Sequence, residues 1–94
     1  MKLFMSQKMS ELISMDGYND CIVGIVEQFG KSPVLCYDKS KIIAKLMSDG
    51  MSEEEAEEFF DYNQLGAYVG EFTPCFITKL GAEDVEIYSS IGAI

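Results

Sequence analysis

The sequence predicts an α+β domain, in which a small, mainly antiparallel sheet of about three strands packs against an αα-hairpin, with an additional N-terminal helix. Three observations carry this prediction. Two β-branched runs, residues 21–29 (CIVGIVEQF) and 33–37 (PVLCY), are separated only by a glycine-containing turn. Two segments of helical period then follow, joined at Asp49, Gly50 and Met51. A third β-prone run, residues 73–78 (TPCFIT), comes after an irregular, glycine-punctuated stretch. Ninety-four residues supply one hydrophobic core, so the expected organisation is a single compact domain over 1–94.

The elements follow in order. Met5, Met9, Leu12 and Ile13 fall on one helical face, with Ser6, Lys8, Ser10 and Glu11 elsewhere, which predicts a helix over residues 1–15. Asp16, Gly17 and Asn19 are turn chemistry and end it. In the first strand Ile22, Val23, Ile25 and Val26 form a continuous apolar run, as in a strand covered on both faces or lying at a sheet's centre. Pro33 has no amide hydrogen and belongs at the start of its strand.

Asp38 is placed to cap the next helix, whose apolar positions Ile42, Ile43, Leu46 and Met47 recur at helical spacing up to Asp49 and Gly50. Ser52 and Glu55 form a capping box for a helix over about residues 53–62. There Ala56, Phe59, Phe60 and Asn63 share the core face, and Glu54, Glu57, Glu58 and Asp61 lie opposite. Residues 79–94 show no compelling period, and 85–88 (VEIY) read equally as a short edge strand or as part of a loose tail.

Composition narrows the function. Seven Lys against sixteen acids, with no Arg and no His, give a net charge of −9. Such a chain repels phosphate backbones and anionic lipid, so neither nucleic acid nor a membrane is an expected direct partner. No run approaches the ~18 apolar residues of a membrane span, and the N-terminus lacks the apolar core of a signal peptide. Three widely spaced cysteines, Cys21, Cys36 and Cys75, fit packing residues in a reduced, cytoplasmic compartment.

The lack of His and Arg removes the commonest general base and the bidentate anion clamp, and no catalytic, cofactor-binding or metal-ligating set emerges. Asp61, Asn63 and Gly66 begin like a calcium loop, but Leu65 occupies its fifth position and Phe72 its twelfth, with Glu71 displaced by one. The expected protein is not an enzyme.

Six carboxylates lie between Glu53 and Asp61. The helix dipole accounts for Glu53, Glu54 and Glu55 at the helix start, which leaves Glu57, Glu58 and Asp61 as the candidate surface for a basic protein partner. Tyr68 and Phe72, between glycines in an irregular segment, either anchor that partner or cover the end of the core.

Residues 49–76 (DGMSEEEAEEFFDYNQLGAYVGEFTPCF), extended backward by 21–47 (CIVGIVEQFGKSPVLCYDKSKIIAKLM), resemble a family of small uncharacterised proteins encoded in bacteriophage genomes. Its signature is an acidic helix, a Phe-Asp-Tyr/Phe-Asn step, then Gly-Ala-Tyr/Trp-Val-Gly-Glu and Thr-Pro. The resemblance implies the bacterial host cytoplasm as setting and a host protein as the partner that is bound and modulated or inhibited. Anti-defence action or mimicry of nucleic-acid charge is one form of that role. It supplies no catalytic residue and no cofactor. The second expectation is a self-assembling accessory protein, a homodimer made through the Met-rich N-terminal helix.

Overall fold

A hairpin sets the chain direction. In the computed structural model, which describes residues 12–91, a 3₁₀ turn over Asn19–Cys21 leads into β1 (Ile22–Gln28), and β2 (Lys31–Asp38) returns antiparallel to it. Gln28 faces Lys31 across the ladder, so Phe29 and Gly30 alone make the reversal. Gly30 has φ +78°, a left-handed conformation that a side chain would strain. Phe29 therefore belongs to the turn rather than to the strand, and it stands fully in solvent.

The ladder is bulged twice. Val23 is an extra residue on β1 between the Ile22–Tyr37 and Gly24–Cys36 pairs, and β2 carries an extra residue between Lys31 and Val34. Pro33 falls in this second bulge, where a residue lacking an amide hydrogen is tolerated, rather than at the strand's start.

Strand β3 (Cys75–Ile77) joins the other side of β2 in parallel, pairing Cys36 with Cys75, Tyr37 with Phe76 and Asp38 with Ile77. The order β1-β2-β3 puts β2 at the centre and β1 on an edge. This corrects the expectation of a central or doubly covered first strand: Val23 and Val26 are each 41% exposed. The first bulge explains the misleading pattern. It lets Ile22 and Ile25, three residues apart, oppose Tyr37 and Leu35 on one side of the sheet, so a one-sided strand reads as an unbroken apolar run.

Asp38 ends β2 and caps α1 (Lys39–Ser48), its Oδ1 accepting the Ser40 amide at 2.9 Å. Ile42, Ile43 and Leu46 are buried. Met47, expected beside them, is 42% exposed, because it lies about 90° from the middle of their stripe. Gly50, at φ +112°, ends the helix. The Ser52 hydroxyl then accepts the Glu55 amide at 3.1 Å while the Glu55 carboxylate accepts the Ser52 amide at 2.9 Å, and this capping box starts α2 (Glu53–Phe60).

The two helices cover one face of the sheet. Tyr37, Ile42, Phe60 and Cys21 are the largest fully buried side chains, and Ile22, Leu35, Met51 and Phe76 pack around them. Phe76 meets the Phe60 ring edge-on at 4.9 Å, the favoured aromatic geometry. Three-residue β3 thus carries one core aromatic and little else.

After α2 the chain widens into a π-helical turn over Asp61–Leu65, closed by the Gly66 amide on the Asp61 carbonyl at 3.1 Å. A β-carbon at Gly66 would sit 3.1 Å from that same carbonyl, so glycine permits the close approach. Two expectations are corrected at the ends of the chain. Residues 85–88, read as an edge strand or tail, lie inside α3 (Ala82–Ile91), whose first turn holds Glu83 and Asp84 where the helix dipole favours acids. Residues 12–15, the end of the predicted N-terminal helix, carry no helix, and residues 1–11 of that prediction lie outside the described residues.

Candidate protein-interaction surface

Helix α2 has a narrow buried line. Ala56 and Phe60 define it, and at 100° per residue Glu57 and Phe59 lie about 80° to either side. Both are therefore marginal. Glu57 is half-buried, and its carboxylate meets Lys39 Nζ at 3.1 Å; the same ammonium stands 5.3 Å above the Phe60 ring. Glu57 thus turns toward the start of α1, and it does not line the concavity on the other flank. Phe59, predicted to face the core with Phe60, is 36% exposed.

On the other side of α2, Glu55, Glu58, Phe59, Tyr62 and Asn63 surround one shallow concavity. Tyr62 lies about 140° from the middle of the buried line at helical spacing, and it stands in solvent at 79% exposure. Asn63 fixes the turn by donating from Nδ2 to the Phe59 carbonyl at 3.1 Å. The Ser52 backbone amide holds the Glu55 carboxyl below its ordinary value. Two carboxylates and two exposed aromatic rings thus share one patch.

Tyr68 stands elsewhere. It lines an open groove of ≈650 Å³ on the sheet face turned away from the helices, together with Val26, Val34, Gly70, Thr73 and Cys75. Its segment is held in place by Thr73, whose hydroxyl donates to the Gly70 carbonyl at 2.6 Å and accepts the Val69 amide at 2.9 Å. Ser32 Oγ donates to Glu71 at 2.7 Å and ties this segment to the tip of the hairpin.

The five residues singled out from the sequence therefore do not converge. Glu57 faces α1, Glu58 borders the patch on α2, Tyr68 lines the sheet groove, and Asp61 and Phe72 line neither concavity. Asp61 is exposed at the start of the π-helical turn, while Phe72 is half-buried. Phe59 and Tyr62 were missed as surface residues. Helical spacing was the available signal for both, since Phe59 is offset from the Ala56–Phe60 line and Tyr62 falls on its far side.

The cysteines divide similarly. Cys21 is in the core, where burial, with Asp20 beside it, pushes its thiol up. Burial and the adjoining Cys36 side chain push the Cys75 thiol up to about 11. Among the described residues no group of three or more Cys, Asp or Glu is gathered as a metal site. None of the described helices is long and apolar enough to cross a membrane.

Comparison with protein-family models, with curated proteins and with solved structures gives no match.

Proposed function

We propose that this chain is a non-enzymatic interaction protein that docks a basic segment of a partner protein on the outer flank of α2. One observation carries the reading: Glu55 and Glu58 border the same patch as exposed Phe59 and Tyr62. Lysine and arginine side chains are recognised by that combination, through ion pairing to carboxylates and cation–π contact with rings. Asp61, exposed just after α2, adds charge close to the patch, whereas Tyr68 and Phe72 lie outside it. The resemblance to phage-encoded proteins supports a host cytoplasmic protein as the partner, modulated or inhibited by being covered.

A synthetic Lys/Arg-rich peptide is the probe. Its binding should weaken as salt rises, since exposed charges are screened beyond roughly 8 Å at physiological ionic strength. Glu58→Gln should slow association and Tyr62→Ala should hasten dissociation. Binding that ignores salt and both substitutions overturns the docking site.

A second reading has its own support. Helix α3 leaves Val85, Ile87, Tyr88 and Ile91 between 49% and 73% exposed, an apolar surface suited to a second copy of the chain. Sedimentation equilibrium distinguishes the two, since a homodimer that dissociates on Ile87→Asp and Ile91→Asp substitution would favour self-assembly.

A further inference from the structure

Strand register brings together two thiols that lie far apart in sequence. Cys36 on the central strand β2 is the direct partner of Cys75 on β3, and both are free. Ladder partners project to the same side of a sheet, here the side away from the helices, because Tyr37 and Phe76 project toward them. The Cys36 side chain lies against the Cys75 thiol. Neighbouring strands run ~4.8 Å apart, within the ~4.4–6.8 Å that a disulfide spans between α-carbons.

Access to the pair is asymmetric. Cys36 is only 4% exposed, whereas Cys75 is half-buried and lines the open groove beside Val34 and Thr73. A small reagent in the groove reaches Cys75 first. Cys21 packs on the opposite, helical side of the sheet and takes no part.

We propose that Cys36 and Cys75 form an oxidation site, at which a small disulfide of the glutathione class converts the two thiols into an intrachain disulfide joining β3 to β2. Burial holds the Cys75 thiol protonated at neutral pH, so the reaction begins in alkaline solution, where Cys75 loses its proton to solvent and its sulfur attacks one sulfur of the reagent. The reagent's S–S bond breaks, and its departing half takes up a proton as the first free thiol. Cys36 then loses its proton and attacks the Cys75 sulfur of the mixed disulfide, expelling the second small thiol. Two cysteine thiols are oxidised, and one reagent disulfide is reduced to two thiols.

The consequence falls on the weakest joint of the sheet. β3 is attached by three register pairs, and it holds the start of the segment that ends in α3. A covalent tie at its first residue makes that attachment independent of packing. The site does not depend on the docking patch, since neither Cys36 nor Cys75 lines it.

The test incubates the folded full chain with oxidised glutathione in alkaline buffer, where Cys75 ionises, and maps it by mass without reduction. The expected product has lost two hydrogen atoms and joins the Cys36 peptide to the Cys75 peptide. Cys21→Ser should behave as the unsubstituted chain, and Cys36→Ser should stop at one glutathione adduct on Cys75. Because the Cys36 change can disturb packing, a second reading uses the unsubstituted chain. Amide exchange in β3 should slow by about tenfold or more on oxidation, as expected where local opening is suppressed. A cross-link through Cys21, a Cys75 adduct that never resolves, or no reaction where the urea-unfolded chain oxidises readily overturns the proposal.

Discussion

The backbone amide of Met15 donates to the Tyr37 hydroxyl at 2.6 Å. Tyr37 has 0% exposure, so this bond both satisfies a buried hydroxyl and ties the chain before β1 to the central strand. Tyr37→Phe keeps the ring but leaves the Met15 amide without its acceptor. The expected loss is about 1–2 kcal/mol, read as a lower urea midpoint with an unchanged slope. An unchanged midpoint would mean that water replaces the hydroxyl at no penalty.

Phe59 and Phe60 should separate cleanly although they adjoin. Phe60 is 1% exposed and meets Phe76 edge-on, so Phe60→Ala should destabilise by about 3–5 kcal/mol, enough to threaten so small a domain. Phe59→Ala removes a ring at the margin of the buried line and should cost less than half as much. Equal losses in chemical denaturation would return Phe59 to the core.

Glu55 provides a titration test. Its carboxyl is held below the ordinary 4.5 by the Ser52 amide, so its capping contribution is present above the unfolded value and is lost as pH falls through the folded one. Carbon-detected NMR titration should find Glu55 titrating below 4.5 in the native chain, and Ser52→Pro, which removes the amide, should bring it back up. No movement on that substitution would assign the shift to another cause.

Cys75 has the opposite sign of pH dependence. Its folded value of about 11 lies above the ordinary 9.0, so the folded state holds the proton more tightly than the unfolded one. That contribution is fully present below pH 9 and is lost as pH rises toward 11. The melting temperature of the reduced chain should therefore fall across that window, and Cys75→Ala should flatten the fall.

What could be read from sequence was local. The Asp38 cap, the Ser52–Glu55 box and the Ile42–Ile43–Leu46 stripe each depend on residues within one or two turns of one another, and all three are present. The hairpin was also legible, but its reversal moved from residues 30–32 to Phe29 and Gly30, because Phe29 looks like a strand residue until the register assigns it to the turn. Helix α3 was missed because Val85 and Ile87 alternate with acids, which fits a strand as well as a helix in so short a run.

The candidate site was the least legible part. Carboxylates and aromatics were identified as residue types, but their grouping depends on which flank of α2 meets Lys39 and which is left open. The Cys36–Cys75 pairing likewise exists only through the parallel addition of β3, which no spacing announces.

That late parallel strand also implies an order of assembly. The two turns at Gly30 and Gly50 close short loops, so both hairpins can form while the polypeptide is still emerging from the ribosome. Cys75 must return across both helices and the glycine-punctuated segment before it can meet Cys36, a non-local contact of the kind that forms slowly. β3 then acts as a latch closed last, and a conservative change such as Phe76→Leu should speed unfolding while leaving the rate of folding nearly unchanged.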